Sequence, residues 1–423
     1  MILLRLTFAN LCLSPLGSLL TLLLVSLSSA SIIVLLLASS QLAQTLSRDA
    51  KGIDLVLGAR GSPIQLILSA VYHADIPTGN IRLNDTLRWR DDPRVKTAVP
   101  LSLGDSYRGF RIVGTTAEYA PIYGATLRTG RYWDTPMEVV AGALVAEAAR
   151  LQVNTQFTSA HGLGASGHKH DTQPYRVVGV LKPTGSVIDR LILTSLESVW
   201  QLHDEGDPAS NHQNSTDSDE QHNASQSHQD GEEDHANHAE DNVQHITAML
   251  LSYRSPLSAL SLPREVNAAG ALQAAAPAME MARVLQLVGI GLDGLKAFAV
   301  VLILIAFLSL FATLYGSLRA RRHDLAMLRC LGANRWELLL MLLLEGFLLA
   351  FGGILLGVAV GHGTMEAVGY MLANTRGVGF TGRTWLSSET FLLLGLLVVT
   401  AAAAALPAIQ AYRTDVARTL AAP

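Results

Sequence analysis

The sequence predicts a membrane protein with four transmembrane α-helices and a large α+β extracytoplasmic domain between the first and second of them. Hydrophobic residues make up 49% of the 423 residues and charged residues only 16%, a balance typical of a membrane protein with a substantial water-exposed part. Four apolar segments are each long enough to cross a hydrocarbon core of about 30 Å as a helix. They span residues 16–39, 297–318, 338–361 and 389–410.

The first apolar segment, residues 16–39, has Arg5 as the only charged side chain before it. A cleaved signal peptide is one interpretation, because Ser28–Ala30 offers small residues for cleavage. The apolar core of a signal peptide is usually about 7–15 residues long, and this segment is longer. We therefore expect a retained first transmembrane helix.

The orientation follows from the loop at residues 319–337. Five arginines fall within seventeen residues there: Arg319, Arg321, Arg322, Arg329 and Arg335. Basic loops between spans remain in the cytoplasm under the positive-inside rule. We therefore expect residues 1–15 and 411–423 in the cytoplasm, and residues 40–296 and the loop 362–388 outside it.

Two helical extensions are predicted at the outer ends of the first two spans. Polar residues continue the first span at helical spacing to Arg48, and Met281–Lys296 leads into the second span with an apolar side. An exposed apolar side costs free energy, so we expect the two extensions to pack together as a helical stalk. The alternative is two unconnected juxtamembrane helices.

The extracytoplasmic domain contains short β-branched runs bounded by Gly or Pro. Tyr175–Leu181 and Arg190–Thr194 are predicted strands, and Ala141–Leu151 is a predicted helix. Turn signals occur at Gly58–Ser62 and Pro77–Asn80. The mixture indicates an α+β fold.

The basic loop has the pattern of a short amphipathic helix. Leu325, Leu328 and Leu331 recur at helical spacing among charged side chains, and Gly332 is a stop signal. Such a helix would lie near the membrane with an apolar edge available to a partner protein. The alternative is a charged turn between two spans.

The amino-acid sequence of this loop resembles the signature of the FtsX-like permease family. Members of this family, which include MacB-like permeases, are the membrane subunits of ABC systems. The matching positions are Leu328, Leu331, Gly332, Ala333, Glu345, Gly352 and Gly353. Asp324 stands where the family usually has Glu, and Cys330 stands where it usually has a small residue. Three stretches that begin at Gly58, Val177 and Leu272 resemble the family's extracytoplasmic domain, whereas Asn154–Thr155 departs from the usual Gly-Asp.

The resemblance implies a permease subunit in a bacterial inner membrane, either a homodimer or paired with a sister permease. It also implies a separate cytoplasmic ABC ATPase that uses ATP and whose closure is transmitted to the extracytoplasmic domain. The contact residues for that ATPase would be Arg322, Asp324, Leu325, Leu328, Arg329, Leu331, Gly332 and Ala333. The sequence contains no G-x-x-x-x-G-K-[ST] motif, the ATP-binding P-loop, so we expect a non-catalytic subunit. We expect no nucleic-acid partner.

Two alternative functions follow from other members of the family. One is a non-transporting regulator of a periplasmic partner enzyme, as in the cell-division permeases. The other is a lipoprotein-releasing permease.

An acidic, histidine-rich insertion occupies residues 203–245, with twelve Asp and Glu, seven His and no Lys or Arg. The segment has few apolar residues, and their burial would not offset the conformational entropy lost on folding. We therefore expect the segment to be disordered. Imidazole and carboxylate groups together are suitable ligands for zinc. The segment is therefore predicted to bind several Zn²⁺ ions loosely, and the protein is predicted to have a metal-related function in the cell envelope. The candidate ligands are His168, His170, His212, His222, His228, His235, His238 and His245. A solvated loop and a pH sensor are the alternatives.

The third span contains an acidic residue and a small-residue repeat. Gly353, Gly357 and Gly361 recur every four residues, which favours close helix packing in lipid, within the chain or between two copies. Glu345 lies about two turns inside the span, where a carboxylate is a functional candidate. We expect it to reach the interface or to pair with Arg335. No series of acidic residues crosses the spans, so a proton path is not predicted.

Overall fold

The computed structural model describes residues 15–161, 173–204, 244–321, 332–376 and 380–413, together with residues 7, 11, 327, 329 and 330. The chain forms two compact units. The membrane unit comprises Met1–Gln44 and Leu285–Pro423, and the external domain comprises Thr45–Val284. The described residues of each unit are considered in turn.

Four helices of the described chain are long and apolar enough to cross a membrane, as the sequence predicts. They are α1 (Pro15–Asp49), α8 (Pro277–Ala320), α9 (Arg335–Arg376) and α10 (Ser387–Arg413). Helices α1 and α8 continue without a break beyond the predicted spans, so both helical extensions are present.

The third membrane helix is longer than the sequence predicts. We expected a helix that ends at Gly361 and a loop over residues 362–388, but α9 continues to Arg376. The reason is packing: Met365, on this outer part of α9, is buried against Ile33 and Leu37 of α1 and against Phe380. Apolar contacts at helical spacing therefore extend the helix past the apolar segment.

The apolar side of the α8 extension is partly covered within the single chain. Val284 packs against the core of the external domain, and Leu285 and Leu292 are half-buried. Leu287 and Val288 are 65% and 37% exposed. The pairing of this extension with α1 as a stalk stays a prediction.

The external domain is built on one mixed sheet, which has eleven strands in the described residues. Its order is β13-β1-β12-β3-β4-β10-β6-β9-β5, with β7 paired to β9 and β8 paired to β3. The strands are β1 (Leu55–Gly58), β3 (Val95–Tyr107), β4 (Phe110–Thr115), β5 (Leu127–Gly130), β6 (Glu138–Ala141), β7 (Gln156–Phe157), β8 (Ala160–His161), β9 (Tyr175–Leu181), β10 (Leu191–Thr194), β12 (Ala248–Tyr253) and β13 (Gln273–Ala275). A separate pair joins β2 (Ile81–Arg82) to β11 (His245–Ile246).

Six helices and one 3₁₀ turn accompany the strands in the described part of this domain. They are α2 (Pro63–Ala70), α3 (Leu83–Arg90), α4 (Tyr119–Ile122), α5 (Ala143–Ala148), the 3₁₀ turn Val187–Arg190, α6 (Leu196–Asp204) and α7 (Ser258–Ala269). The predicted helix at Ala141–Leu151 is shorter than expected because Ala141 belongs to β6, where it pairs with Ile192 of β10.

The core of the external domain lies on both faces of the sheet. Strands β1, β6 and β10 are buried at every position, which is typical of strands covered on both sides. Strands β6 and β9 run parallel, as do β4 and β10. This confirms the predicted α+β fold and the strand at 175–181. The strand predicted at 190–194 begins one residue later, because Arg190 belongs to the 3₁₀ turn.

Candidate coupling elements

The turn that ends the basic loop is set by Gly332. Its φ of +104° lies in the left-handed region that favours glycine, and its N–H donates to the Arg329 carbonyl oxygen at 3.1 Å. Arg329 and Cys330 are helical, which fits a short helix that stops at this glycine. Arg322, Asp324, Leu325, Leu328 and Leu331 lie outside the described residues.

Helix α9 begins directly after this turn with a cap from the Glu337 side chain. Asn334 donates its backbone N–H to Glu337 Oε2 at 3.1 Å, and the Glu337 N–H donates to the Asn334 carbonyl oxygen at 3.0 Å. The side-chain bond satisfies a backbone N–H that the first helical turn leaves free. Ala333, between the turn and the cap, is half-buried. The direction of α9 is thus fixed immediately after the basic loop.

Glu345 faces helix α8. The side chain is 2% exposed, and its polar neighbours are the Ser317 hydroxyl and the Arg321 guanidinium. We expected Arg335 or the interface as its partner, but Arg335 lies at the start of the same helix. Since Ser317 lies on α8 and Arg321 directly follows its last residue, Glu345 connects the two helices that the basic loop joins.

The small-residue stripe of α9 packs against α1 of the same chain. A Cβ added at Gly353 would lie 2.7 Å from Val25 Cβ, and one at Gly361 would lie 3.0 Å from Ile33 Cβ. A Cβ at Gly357 would overlap Ser29 Oγ. Of the two packing partners that the sequence allowed, the structure shows the intramolecular one.

The outer end of α1 is bonded to the external domain through groups that the sequence did not single out. Asp49 is 2% exposed, and its Oδ1 accepts the Val187 N–H at 3.1 Å. The Tyr72 hydroxyl donates to the Leu46 carbonyl oxygen at 2.9 Å. The only signal in the sequence was an acidic residue that follows Arg48 at the end of the predicted extension.

The loop that receives Asp49 is held by its own carboxylate. Asp189 accepts the N–H of Thr184 at 3.0 Å and the N–H of Gly185 at 2.7 Å. Gly185 has a φ of +72°, so the turn needs a residue that tolerates the left-handed region. A displacement of the α1 end would therefore act on a preorganised loop.

The predicted metal ligands are not brought together in the described structure. His245 is an exposed residue of β11, where it pairs with Arg82, and its carbonyl oxygen accepts the Trp200 Nε1–H at 2.7 Å. The other candidates, His168, His170, His212, His222, His228, His235 and His238, lie outside the described residues. Within the part of the chain that is described, no group of three His, Cys, Asp or Glu side chains is placed to hold a metal ion.

Comparisons with known proteins identify this arrangement. Residues 296–416 match the family described as FtsX-like permease C-terminal. Residues 18–224 match the family described as MacB-like periplasmic core domain. Together with the four apolar helices, these matches define a multi-pass bacterial membrane protein that is the permease subunit of a type VII ABC transporter, with an ABC ATPase as partner. The chain belongs to the MacB/FtsX-like family of ABC permeases.

Two solved structures are similar to this chain at low identity. The periplasmic region of MacB from Actinobacillus actinomycetemcomitans is 10% identical, with 56% of this chain and 95% of that chain covered and a TM-score of 0.33. The extracellular domain of the noncanonic ABC-type transporter YknZ from Gram-positive bacteria is 11% identical, with 52% and 98% covered and a TM-score of 0.29. No curated protein matches the chain.

Proposed function

We propose that this permease subunit transmits the nucleotide state of a separate cytoplasmic ATPase to the external domain across the bacterial inner membrane. The working unit would be a homodimer or a pair with a sister permease. The ATPase would engage the basic loop at residues 322–333, and the external domain would act on a periplasmic substrate or partner protein.

The observation that best supports this proposal is the continuity of α1. One unbroken helix contributes Pro15–Gln44 to the membrane unit and Thr45–Asp49 to the external domain. On the membrane side it is packed against the glycine stripe of α9. At its outer end, Asp49 and Leu46 are hydrogen-bonded within the external domain. A movement of α9 would therefore be passed to α1.

The predicted cytoplasmic ends of α8 and α9 are also held by specific contacts. Gly332 and the Asn334–Glu337 cap fix the start of α9, and Glu345 faces Arg321, which directly follows α8. A force applied to the basic loop would reach both helices at once, because one anchor lies on each side of it.

The experiment is a binding assay with a matched control. Leu328→Asp would place a charge in the apolar contact with the ATPase, and burial of an unpaired charge costs several kcal/mol. We expect this variant to lose co-purification of the ATPase while it inserts normally into the membrane. Leu257→Asp makes the same substitution at a 74% exposed leucine of the external domain and should retain the ATPase. Co-purification at wild-type strength by the Leu328 variant would refute the proposed contact.

We also propose that the histidine-rich insertion binds zinc and that the transporter works on a metal-related envelope substrate. Support comes from the sequence, where seven histidines and twelve carboxylates share one segment without Lys or Arg. Sites assembled from such a segment would be weak, because each must order the chain at an entropic cost.

A further inference from the structure

Residues 380–386, which precede α10, lie along the outer part of α9. A Cβ on Gly369 would overlap the Phe380 carbonyl oxygen, and a Cβ on Gly382 would overlap the His362 carbonyl oxygen. Such close backbone approach requires glycine at both positions. We call residues 380–386 the strap.

The strap is bonded to α1 through Gln41, a side chain that is 8% exposed. Gln41 Nε2 donates to the Thr381 carbonyl oxygen at 2.7 Å and to Thr384 Oγ1 at 3.1 Å. Gln41 Oε1 accepts the Thr381 N–H at 2.9 Å. The amide thus satisfies both backbone groups of Thr381, as a neighbouring strand would.

The strap is bonded to α9 through Glu366. Its Oε2 accepts the Thr381 hydroxyl and the Gly382 N–H, both at 2.9 Å. Its Oε1 lies 3.2 Å from Arg383 Nε. Thr381 is therefore bonded to both helices, to α1 through Gln41 and to α9 through Glu366.

His362 completes the arrangement with an unusual pair of neighbours. Its Nδ1 is 2.6 Å from the Gly382 carbonyl oxygen, and its Nε2 is 3.2 Å from Glu389 Oε2 on α10. The ring stacks on Trp385 with centroids 5.4 Å apart and planes 2° apart. Glu389 is fully buried. The imidazole is consequently fixed in position and has an oxygen at each nitrogen.

This geometry determines how many protons the pair holds. A carbonyl oxygen only accepts, so Nδ1 must carry a hydrogen. In neutral imidazole Nε2 would then present a lone pair to Glu389, and an ionised carboxylate would present another. The contact is attractive only if one further proton sits on Nε2 or on Glu389.

We propose that the strap is a proton-dependent latch, closed on α1 while the His362–Glu389 pair holds this proton and released when the proton leaves. The charged groups that face His362 are Glu389 on α10, Glu366 one turn away on α9, and Arg383 in the strap, which pairs with Glu366. Among the described residues, α1 contributes the non-titrating Gln41. Loss of the proton puts two lone pairs in contact in a buried site, so the His362 ring is pushed away from Glu389 and its Nδ1–H is displaced from the Gly382 carbonyl oxygen.

The latch decides whether α1 is bonded to α9 and α10 at their outer ends. That consequence for coupling rests on the proposed function, whereas the latch itself does not. With the strap closed, the outer half of α1 is tied to two neighbouring helices. With the strap open, the glycine-stripe contact deeper in the membrane would remain.

The test is hydrogen exchange of the strap amides in the full chain, reconstituted in lipid nanodiscs and corrected for intrinsic exchange rates. We expect protection of residues 381–386 to fall by at least roughly tenfold between about pH 6 and about pH 9. Glu389→Gln should keep protection at both pH values, because its amide N–H donates to Nε2 as a protonated carboxyl would. His362→Phe should lack protection at both. His161→Gln changes a histidine of β8 in the external domain and should behave like the wild type.

Three outcomes would overturn the latch. They are strap amides unprotected at about pH 6 in the wild type, protection independent of pH in the wild type, and an unchanged pH dependence in Glu389→Gln. The measurement needs no ATPase, so its failure leaves the proposed coupling function intact. Equally, a failure of ATPase binding by the basic loop would leave this result unaffected.

Discussion

Gly357 leaves no space for a side chain on the surface of α9 that faces α1. A Cβ at this position would overlap Ser29 Oγ and would lie 2.6 Å from the Ser26 carbonyl oxygen. Ser29 in turn donates to the Val25 carbonyl oxygen at 2.8 Å, so its hydroxyl is not free to move away without loss of a buried hydrogen bond. The close approach of the two helices at this point therefore requires glycine at position 357.

Gly357→Ala should therefore destabilise the membrane unit. Overpacking of a tight contact costs about 1–3 kcal/mol, which exceeds the roughly 0.5–1 kcal/mol that alanine gains over glycine within a helix. Gly363→Ala is the matched control, because nothing lies within 4 Å of its added Cβ, and it should be neutral or slightly stabilising. Thermal unfolding of both variants of the full chain in detergent measures the difference. Equal midpoints would contradict the packing described for α1 and α9.

Glu138 is a buried carboxylate of the external domain that accepts hydrogen bonds from two arginines. Its two oxygens accept from Arg131 at 2.7 Å each, and Arg176 Nη2 donates to Oε1 at 2.5 Å. The Asp134 N–H adds a fourth bond at 3.0 Å. The hydrogen bonds from Arg131 are the largest cause that lowers the pKa of Glu138 to about 2.

The lowered pKa predicts a defined acid sensitivity. The folded pKa of about 2 lies below the ordinary value of 4.5, so the unfolded chain binds more protons between these values, and the folded state loses stability as the pH falls through that window. Glu138→Gln should remove the stabilisation that the ionised carboxylate gives to the folded state, including above pH 4.5, where the wild type retains it in full. Glu265→Gln, at an exposed pair with Arg94, is the control and should change little. Hydrogen exchange of the peptide that contains β6 distinguishes the two variants; equal exchange in both would be the contrary result.

At the scale of elements, much of the fold follows from residue patterns. Strand β9 has the predicted bounds because its β-branched residues lie between turn signals, and the four spans follow from hydropathy. The left-handed turn at Gly332 follows from a glycine after a helical pattern. Each of these features depends on neighbours in the sequence, so one sequence is enough to predict it.

The remaining features depend on contacts between distant residues. Hydropathy predicts which residues lie in the membrane and does not predict where a helix ends. The outer part of α9 was therefore predicted as a loop. Gln41 and Thr381 are bonded across the fold, and neither has a local pattern that marks it. Asp49 is buried because Val187 supplies its hydrogen bond, which the sequence does not reveal. For the same reason, the partner of Glu345 was predicted on the wrong helix.

The histidine-rich insertion can be changed without changing the strands and helices on either side of it. Its described ends are Asp204 in α6 and Gln244 next to β11, and β11 is anchored by Trp200 and by β2. We propose that the zinc sites lie between these ends. A change confined to that segment leaves the anchored strand in place.

Replacing His212, His222, His228, His235 and His238 with Gln tests the zinc proposal, because length and net charge are preserved. We expect the full chain to lose most of its zinc binding and to keep membrane insertion and ATPase association. Wild-type binding should weaken as the pH falls through about 6.5, where imidazole protonates. Calorimetric titration with Zn²⁺ measures both effects. Unchanged zinc binding in the substituted protein would place the sites elsewhere.

At the scale of the whole molecule, we propose a mechanical connection from the basic loop to the external domain. Arg321, which faces Glu345, and Gly332 lie towards the two ends of the basic loop. Helix α9 packs against α1 through its glycine stripe, and α1 ends on the loop that Asp189 holds in place. No cavity through the membrane is needed for such a protein to act on a periplasmic substrate. The external domain would be the part that moves substrate or partner.

The measurement that tests this claim most directly is hydrogen exchange of residues 184–190 in the full chain bound to its ABC ATPase. Exchange would be compared without nucleotide and with ATP bound to a hydrolysis-deficient ATPase. We predict that ATP changes the exchange of this loop, because the end of α1 bonds to it through Asp49 and Val187, and that Leu328→Asp abolishes the change. Identical exchange in the two nucleotide states, with ATPase closure verified in the same sample, would contradict the account.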